Sequence, residues 1–378
     1  MSGPARAARG RRLRVAVGAI VLACLVATGC RTIGYVARGG LAEARILWRR
    51  QPIAELLAQP DLDPQLRDRL ELVERVRAYA GNDLGLRVGE SYTTFADVDG
   101  EAVVWVLSAA RRDELEAYTW WWPVVGRVPY QGYFEREDAD AAASGLGAQG
   151  YDTDVRSASA FSTLGWFADP LLSTTARYGP VSLTETVIHE LFHATLYVPS
   201  HVDFNESAAS FVGHRGAMAF FCDGPGRDAT RCTEARRRWA YTLAHGRFLE
   251  RYVTRLRALY AEGLPPAQRD AWRVRLAARA ARAIRARGLG TGDDLSPPNN
   301  ARLLAMLAYE TDLGAFDRLA PTGEALPGAI ERIVTAARGA SDPFMAVRAL
   351  DPLAHRGEAA TGPPSLQTRT AGLDSPKP

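Results

Sequence analysis

The stretch Ser182-Leu-Thr-Glu-Thr-Val-Ile-His-Glu-Leu-Phe-His-Ala-Thr-Leu-Tyr197 carries the decisive pattern. Val187, Ile188, Leu191, Phe192 and Leu196 recur at helical spacing and predict a buried helix over 182–197. Ser182 stands as its N-cap, with Glu185 three residues on in the spacing of a capping box. Inside this helix, His189-Glu190-Leu191-Phe192-His193 is an H-E-x-x-H sequence. Side chains at i and i+4 lie one above the other, so both imidazoles can reach one Zn2+ ion at about 2.0–2.1 Å. Glu190 sits a step around the helix, where a carboxylate can take a proton from a water on that ion without becoming a ligand.

A catalytic zinc set usually has three protein ligands, so a third must come from elsewhere. Pro199 interrupts the chain, and a second helix is expected from about Asp203 past Phe220. It opens with Asn205-Glu206-Ser207-Ala208-Ala209-Ser210, which resembles the N-E element of gluzincins. That resemblance implies Glu206 as the third ligand, and the short interval from His193 demands a tight connector. Ser210 stands where thermolysin-like enzymes place an aspartate, which leaves Asp203 or a backbone carbonyl to orient the imidazoles. His201 is the rival ligand, although it follows His193 by eight residues where the metzincin pattern wants six and a glycine between. His214, eight residues after Glu206, either stabilises an oxyanion or is a hydrogen-bonded structural histidine. His245 and His355 lie in helix-surface and tail contexts and receive no role.

Outward from this core, residues 30–90 read as a helical N-terminal part and 91–225 as a sheet with the zinc-site helices. Residues 226–353 read as a helical part, all in one domain over 30–353. Strand-like runs occupy Ser91–Val98, Ala102–Ala109 and Tyr151–Phe161, with Asp99-Gly100 as a hairpin turn between the first two. A short helix is expected over Arg136–Gln149, and Ser162–Leu172 reads as a loop. Trp120, Trp121 and Trp122 read as a sheet face packed under helices rather than a substrate groove. Beyond Thr233 the helical stretches are Glu234–Glu262 and Pro266–Arg287, an antiparallel pair, then Asn299–Leu319 and Leu326–Arg338. The Asn299-Asn300 pair after Pro297-Pro298 reads as a helix cap. Residues 354–378 are small and polar and read as a disordered tail. The fold class is therefore α+β, mainly helical, with a small β-sheet preceding the zinc helix.

The first thirty residues are of another kind. Arg6, Arg9, Arg11, Arg12 and Arg14 precede an apolar run from Val15 to Ala27, the layout of an export signal over 1–29. The run falls short of the roughly 20 residues that span a bilayer. Ala27-Thr28-Gly29-Cys30 resembles a bacterial lipobox, which implies acylation of Cys30; an ordinary cleaved signal or a simple anchor are the alternatives. Cys222 and Cys232 flank a Gly/Pro-containing loop and read as a disulfide in an oxidising compartment, with buried thiols as the alternative. The chain has 378 residues with a net charge of +3, so no nucleic-acid footprint is read from it. Its many arginines read as solvated helix faces.

A wider resemblance rests on His189–Gly213 together with Val124–Phe134, Ser162–Ser173 and Asn299–Leu303. These segments are similar to the bacterial predicted aminopeptidase lipoproteins, over nearly the whole chain after the leader. The resemblance implies a zinc peptidase on the bacterial envelope, anchored through a lipid and facing the periplasm, with a peptide substrate. It also singles out Tyr130, Tyr133 and Tyr309; Tyr309 or Tyr133 is implied as the phenolic donor to the oxyanion, with core packing as the alternative. Two other readings stay open: an envelope lipoprotein with a structural or vestigial zinc, and a zinc hydrolase of a non-peptide amide. Substrate preference, exo- or endo-cleavage and oligomeric state are not legible.

Overall fold

The computed structural model describes residues 48–98, 104–122, 126–158, 168–289, 298–322 and 325–351. The leader with Cys30, the Asp99-Gly100 turn and the tail with His355 lie outside the described residues. The chain divides into two compact units, Met1–Arg49 and Arg50–Pro378, and every element below belongs to the second. Among the described residues no helix is long and apolar enough to cross a membrane.

The second unit opens with β1 (Gln51–Pro52), α1 (Ile53–Leu57), α2 (Pro64–Asn82), β2 (Thr94–Ala96) and β3 (Val104–Arg111). It continues through β4 (Trp120–Trp122), β5 (Gly126–Val128), β6 (Tyr130–Tyr133), α3 (Arg136–Ala148), β7 (Tyr151–Ala158), β8 (Leu171–Leu172) and α4 (Ser173–Ala176). Then come the long helices: α5 (Pro180–Thr195), α6 (Val202–Cys222), α7 (Ala229–Ala261) and α8 (Pro266–Ala286). The shorter α9 (Asn300–Glu310), α10 (Leu313–Leu319), α11 (Leu326–Ala337) and α12 (Pro343–Arg348) finish it. The protein is mainly helical with small sheets, as the α+β reading expects.

The strands form three small sheets instead of one. β2 pairs antiparallel with β1 and parallel with β8, while β3 lies between β6 and β7. The expected hairpin between Ser91–Val98 and Ala102–Ala109 is therefore corrected: its two strands belong to different sheets. A local turn signal shows where a chain can reverse but not which edges then pair. β4 and β5 make a separate two-stranded ribbon, and Trp121 on it is 63% exposed. Trp120 packs with Leu146 of α3 and meets Tyr118 edge to face, as a sheet face under a helix does, whereas Trp121 faces outward.

α6 is the central helix. Phe204, Phe211, Phe220 and Phe221 point to different sides of it and all are buried, as expected of a helix that is apolar around its whole circumference. α5, α2, α10, α11 and α12 share its core cluster. α5 starts at Pro180 with Gly179 as N-cap and no side-chain cap, correcting the Ser182 capping box. Proline at the first helical position has no N–H to satisfy, and the helix begins three residues earlier than a Ser182 cap would place it. Asn299–Leu319 is likewise two helices, α9 and α10, broken at Asp312 with φ 57°. Asn299 caps α9 by accepting from Arg302 N at 2.9 Å.

Cys222 and Cys232 are bonded, joining the end of α6 to the first turn of α7. With a sequence separation of 10, the closed loop is short, and chain-entropy arguments give about 2–3 kcal/mol of stabilisation. The Cys222→Ala/Cys232→Ala protein should unfold at lower denaturant by that amount, and reductant should bring the parent down to the same midpoint. A midpoint unmoved by reductant would remove the loop from the stability of α6.

Candidate metal centre

His189 and His193 stand one turn apart on α5. The chain then turns back through 196–201 and enters α6, whose first turns carry Glu206. The connector is held by Asn205, which receives the Val198 N–H at 2.9 Å and donates its amide to the Val198 carbonyl at 2.8 Å. Gly213 then lets α6 lie against α5: a Cβ there would sit 2.7 Å from the Glu185 carbonyl oxygen and 3.2 Å from His189 Cβ.

The result is a converging triad. His189 Nε2 lies 3.1 Å from His193 Nε2 and 3.2 Å from Glu206 Oε2, and His193 Nε2 lies 3.6 Å from the same oxygen. Three ligands on a tetrahedral ion at about 2.0–2.1 Å would stand about 3.3–3.4 Å apart. The three edges bracket that value, so the donor set fits Zn2+ in size and chemistry. The same three residues form the His/Glu group that could hold a metal ion. His201 is not among them. It occupies the N-cap of α6 without a side-chain cap bond, and burial pushes its pKa down. Asp203 is also outside the group; burial raises its carboxyl to about 6, although it receives the Phe204 N–H. Asp203 does not orient His193, whose Nδ1 is buried without a hydrogen-bond partner.

The electrostatics separate the acidic groups. Burial pushes Glu206 up, but the flanking imidazoles of His193 and His189 outweigh it and hold the carboxyl well below its usual range. Glu190 moves the other way: burial raises it, the two imidazoles lower it only in part, and Glu206 and Asp169 add to the rise. Tyr92, buried with φ 61°, sits beside Glu190, and its N–H bonds the Asp169 carbonyl at 2.7 Å. Neither Tyr92 nor Asp169 receives a role of its own from the sequence, because the β2–β8 pairing brings them there from separate segments.

Tyr309, on α9, stacks on His189 with ring centroids 6.1 Å apart. Ser207 fixes this neighbour: its hydroxyl donates to the Ala308 carbonyl at 2.9 Å and receives the Thr311 N–H at 3.0 Å. The Glu206 charge is the main cause that raises the Tyr309 phenol above its usual value, so it stays protonated, while 38% of the residue remains exposed. Tyr133 is placed elsewhere. It pairs with Trp105, and packs with Leu107, Ala109 and Leu146 on the α3 side of the sheet. Tyr130, three residues earlier, falls on the opposite face by strand alternation and pairs with Ser108. Tyr130, Arg156, Ser108, Tyr309 and Glu206 line one cavity of about 20 Å³, room for about one water-sized group.

His214 turns away from the triad. Its Nδ1 meets Glu185 Oε1 at 2.8 Å and its Nε2 faces Thr242 Oγ1 at 3.4 Å. Arg238 closes on the other Glu185 oxygen at 2.6 Å, so this group ties α5, α6 and α7 together beneath the centre. Burial alone would raise Glu185, but His214 and Arg238 hold it below its ordinary 4.5. A carboxyl lowered on folding contributes stability that is complete above its unfolded value and lost as pH falls through the folded one. Thermal stability should therefore fall once pH drops below about 4.5. Glu185→Gln should cost about 1–2 kcal/mol at neutral pH and flatten that acid limb; an acid limb of unchanged slope would assign the loss to other carboxylates. His245, read as a surface residue, is buried and bonded through Nδ1 to Glu310 at 2.7 Å.

No curated protein and no solved structure matches the chain. A family model described as "Putative aminopeptidase" matches residues 34–335, which contain every residue of the centre. The chain belongs to that putative aminopeptidase family.

Proposed function

We propose that the protein is a zinc-dependent aminopeptidase that hydrolyses peptides with Glu190 as general base. The observation that carries this reading is the triad of His189, His193 and Glu206, with ligand atoms 3.1, 3.2 and 3.6 Å apart. Zn2+ held there supplies Lewis-acid polarisation of the scissile carbonyl and lowers the pKa of a water towards about 7. Glu190 takes the proton of that water on its carboxylate and hands it to the leaving amine nitrogen; its raised pKa suits both halves of the transfer. Tyr309, kept protonated beside His189, donates its O–H to the oxygen on which charge develops.

We also propose that the chain is exported and held at the bacterial envelope through Cys30. The Cys222–Cys232 bond supports an oxidising compartment.

Elemental analysis of the parent and of Glu206→Ala tests the metal reading. About one zinc per parent chain is expected, with affinity in the variant reduced by more than about 100-fold, beyond what losing an outer-shell partner costs. Full retention in the variant would take Glu206 out of the ligand set; no zinc in the parent would take the zinc reading away.

A further inference from the structure

Helix α8 carries six arginines and one aspartate in a chain whose net charge is only +3. Asp270 is taken up by Arg269 at 3.4 Å, and Arg273 by Asp152 at 2.7 Å on the inner side. The remaining Arg275, Arg279, Arg282 and Arg285 follow at i, i+4, i+7 and i+10, which makes one stripe along the helix. All four are exposed, and among the described residues no carboxylate forms an ion pair with any of them. The opposite face is the packed one: Ala280 is buried there, with Leu276, Ala283 and Ile284 against the cluster of α7 and α9. Four uncompensated like charges on one face repel one another and cost stability unless something anionic neutralises them.

Apolar groups border the stripe where solvent would select against them. Trp272 is 44% exposed, with the Arg275 guanidinium 5.1 Å over its ring, and Val274 is 69% exposed. On the Val274 flank, Arg282 and Arg285 line a cavity of about 780 Å³ together with apolar Tyr252, Leu256 and Ala281 and polar Asp270 and Asn299. Arginines beside apolar walls and an exposed tryptophan match an amphiphile with an anionic head. A nucleic acid or an anionic glycan would answer the arginines alone; it offers nothing to Val274 or to the apolar walls.

We propose that α8 is a membrane-surface docking element, which binds the headgroup phosphates of anionic phospholipids through Arg275, Arg279, Arg282 and Arg285 while Trp272 enters the interface. The site is independent of the metal centre and of whether Cys30 is acylated. For an anchored chain it adds an electrostatic contact with the bilayer surface to the lipid attachment.

The test uses the whole chain with extruded vesicles, either phosphatidylcholine alone or with about one third phosphatidylglycerol. The comparison protein carries Arg275→Gln, Arg279→Gln, Arg282→Gln and Arg285→Gln, so the leader contributes equally to both. The parent should partition about 100-fold more strongly onto the anionic vesicles, and about 0.5 M salt should erase the excess. The fourfold variant should lose most of that preference, keeping only what the leader contributes, and should melt no lower than the parent, since the changed side chains are solvated and their mutual repulsion is relieved. Brominated lipid should quench a component of the parent's fluorescence that Trp272→Phe removes. Equal partitioning of the parent onto the two vesicle types, or an unchanged preference in the fourfold variant, overturns the proposal. Anionic binding without Trp272 quenching also overturns it, because that is the behaviour of a general polyanion patch.

Discussion

Glu190→Gln should bind zinc as the parent does and lose about 10²–10⁴ in kcat/KM. The substitution keeps the volume of the side chain and removes the atom that accepts the proton. Glu190 is outside the His189, His193, Glu206 group, so stoichiometry has no reason to change. Its neighbours explain why this carboxylate suits proton transfer. Burial raises it, and the imidazoles that would pull it down are the ones a metal ion engages. Elemental analysis and peptide hydrolysis on the same preparation separate the outcomes. Turnover at the parent's rate would end the general-base role. Loss of zinc together with activity would make Glu190 a ligand instead.

The second large effect lies on the far side of α6. Arg215 is 7% exposed on a helix that is otherwise apolar there, and its guanidinium bonds the Asp317 carboxylate and the Ala320 carbonyl of the α10 segment. Trp239 N–H reaches the same Asp317 oxygen at 2.9 Å. Arg215→Met strips both acceptors of a buried donor and should destabilise the protein by about 3 kcal/mol, with Asp317's partial exposure keeping the cost near the lower end. Asp317→Asn added to Arg215→Met should recover part of the loss, because it removes the orphaned charge and keeps an oxygen for the Trp239 N–H. Zinc stoichiometry should hold throughout. Arg215 follows Glu206 by nine residues, half a revolution around the helix, so it faces away from the metal. A double variant no more stable than the single would mean that the pair is not the source of the loss.

What could be read from the chain alone divides along sequence distance. The H-E-x-x-H helix and the helix after Pro199 were legible because periodicity acts within a few turns, and Glu206 through its resemblance to the gluzincin N-E element. Tyr130 and Tyr133 show the limit. Both lie in β6, and only its register against β3 decides which phenol faces the metal side. Tyr92 and Asp169 needed the parallel β2–β8 pairing, and Arg156 the pairing of β7 with β3. The buried Arg215 and His245 run against composition-based expectation, since each is satisfied by a partner far along the chain. A hydrophobic pattern locates faces; it does not report which distant carboxylate will meet an arginine on them.

The turn that Asn205 clamps has a kinetic meaning. His189 and Glu206 are separated by 17 positions, and the loop between their helices is tied by bonds spanning 7. Tyr309's anchor, the Ser207–Ala308 bond, spans 101. Loop-closure entropy grows with the logarithm of the span, so the ligand hairpin can assemble at small entropic cost while the phenol waits for the C-terminal helices. A chain emerging N-terminus first thus closes the hairpin of His189, His193 and Glu206 before Tyr309 can join it.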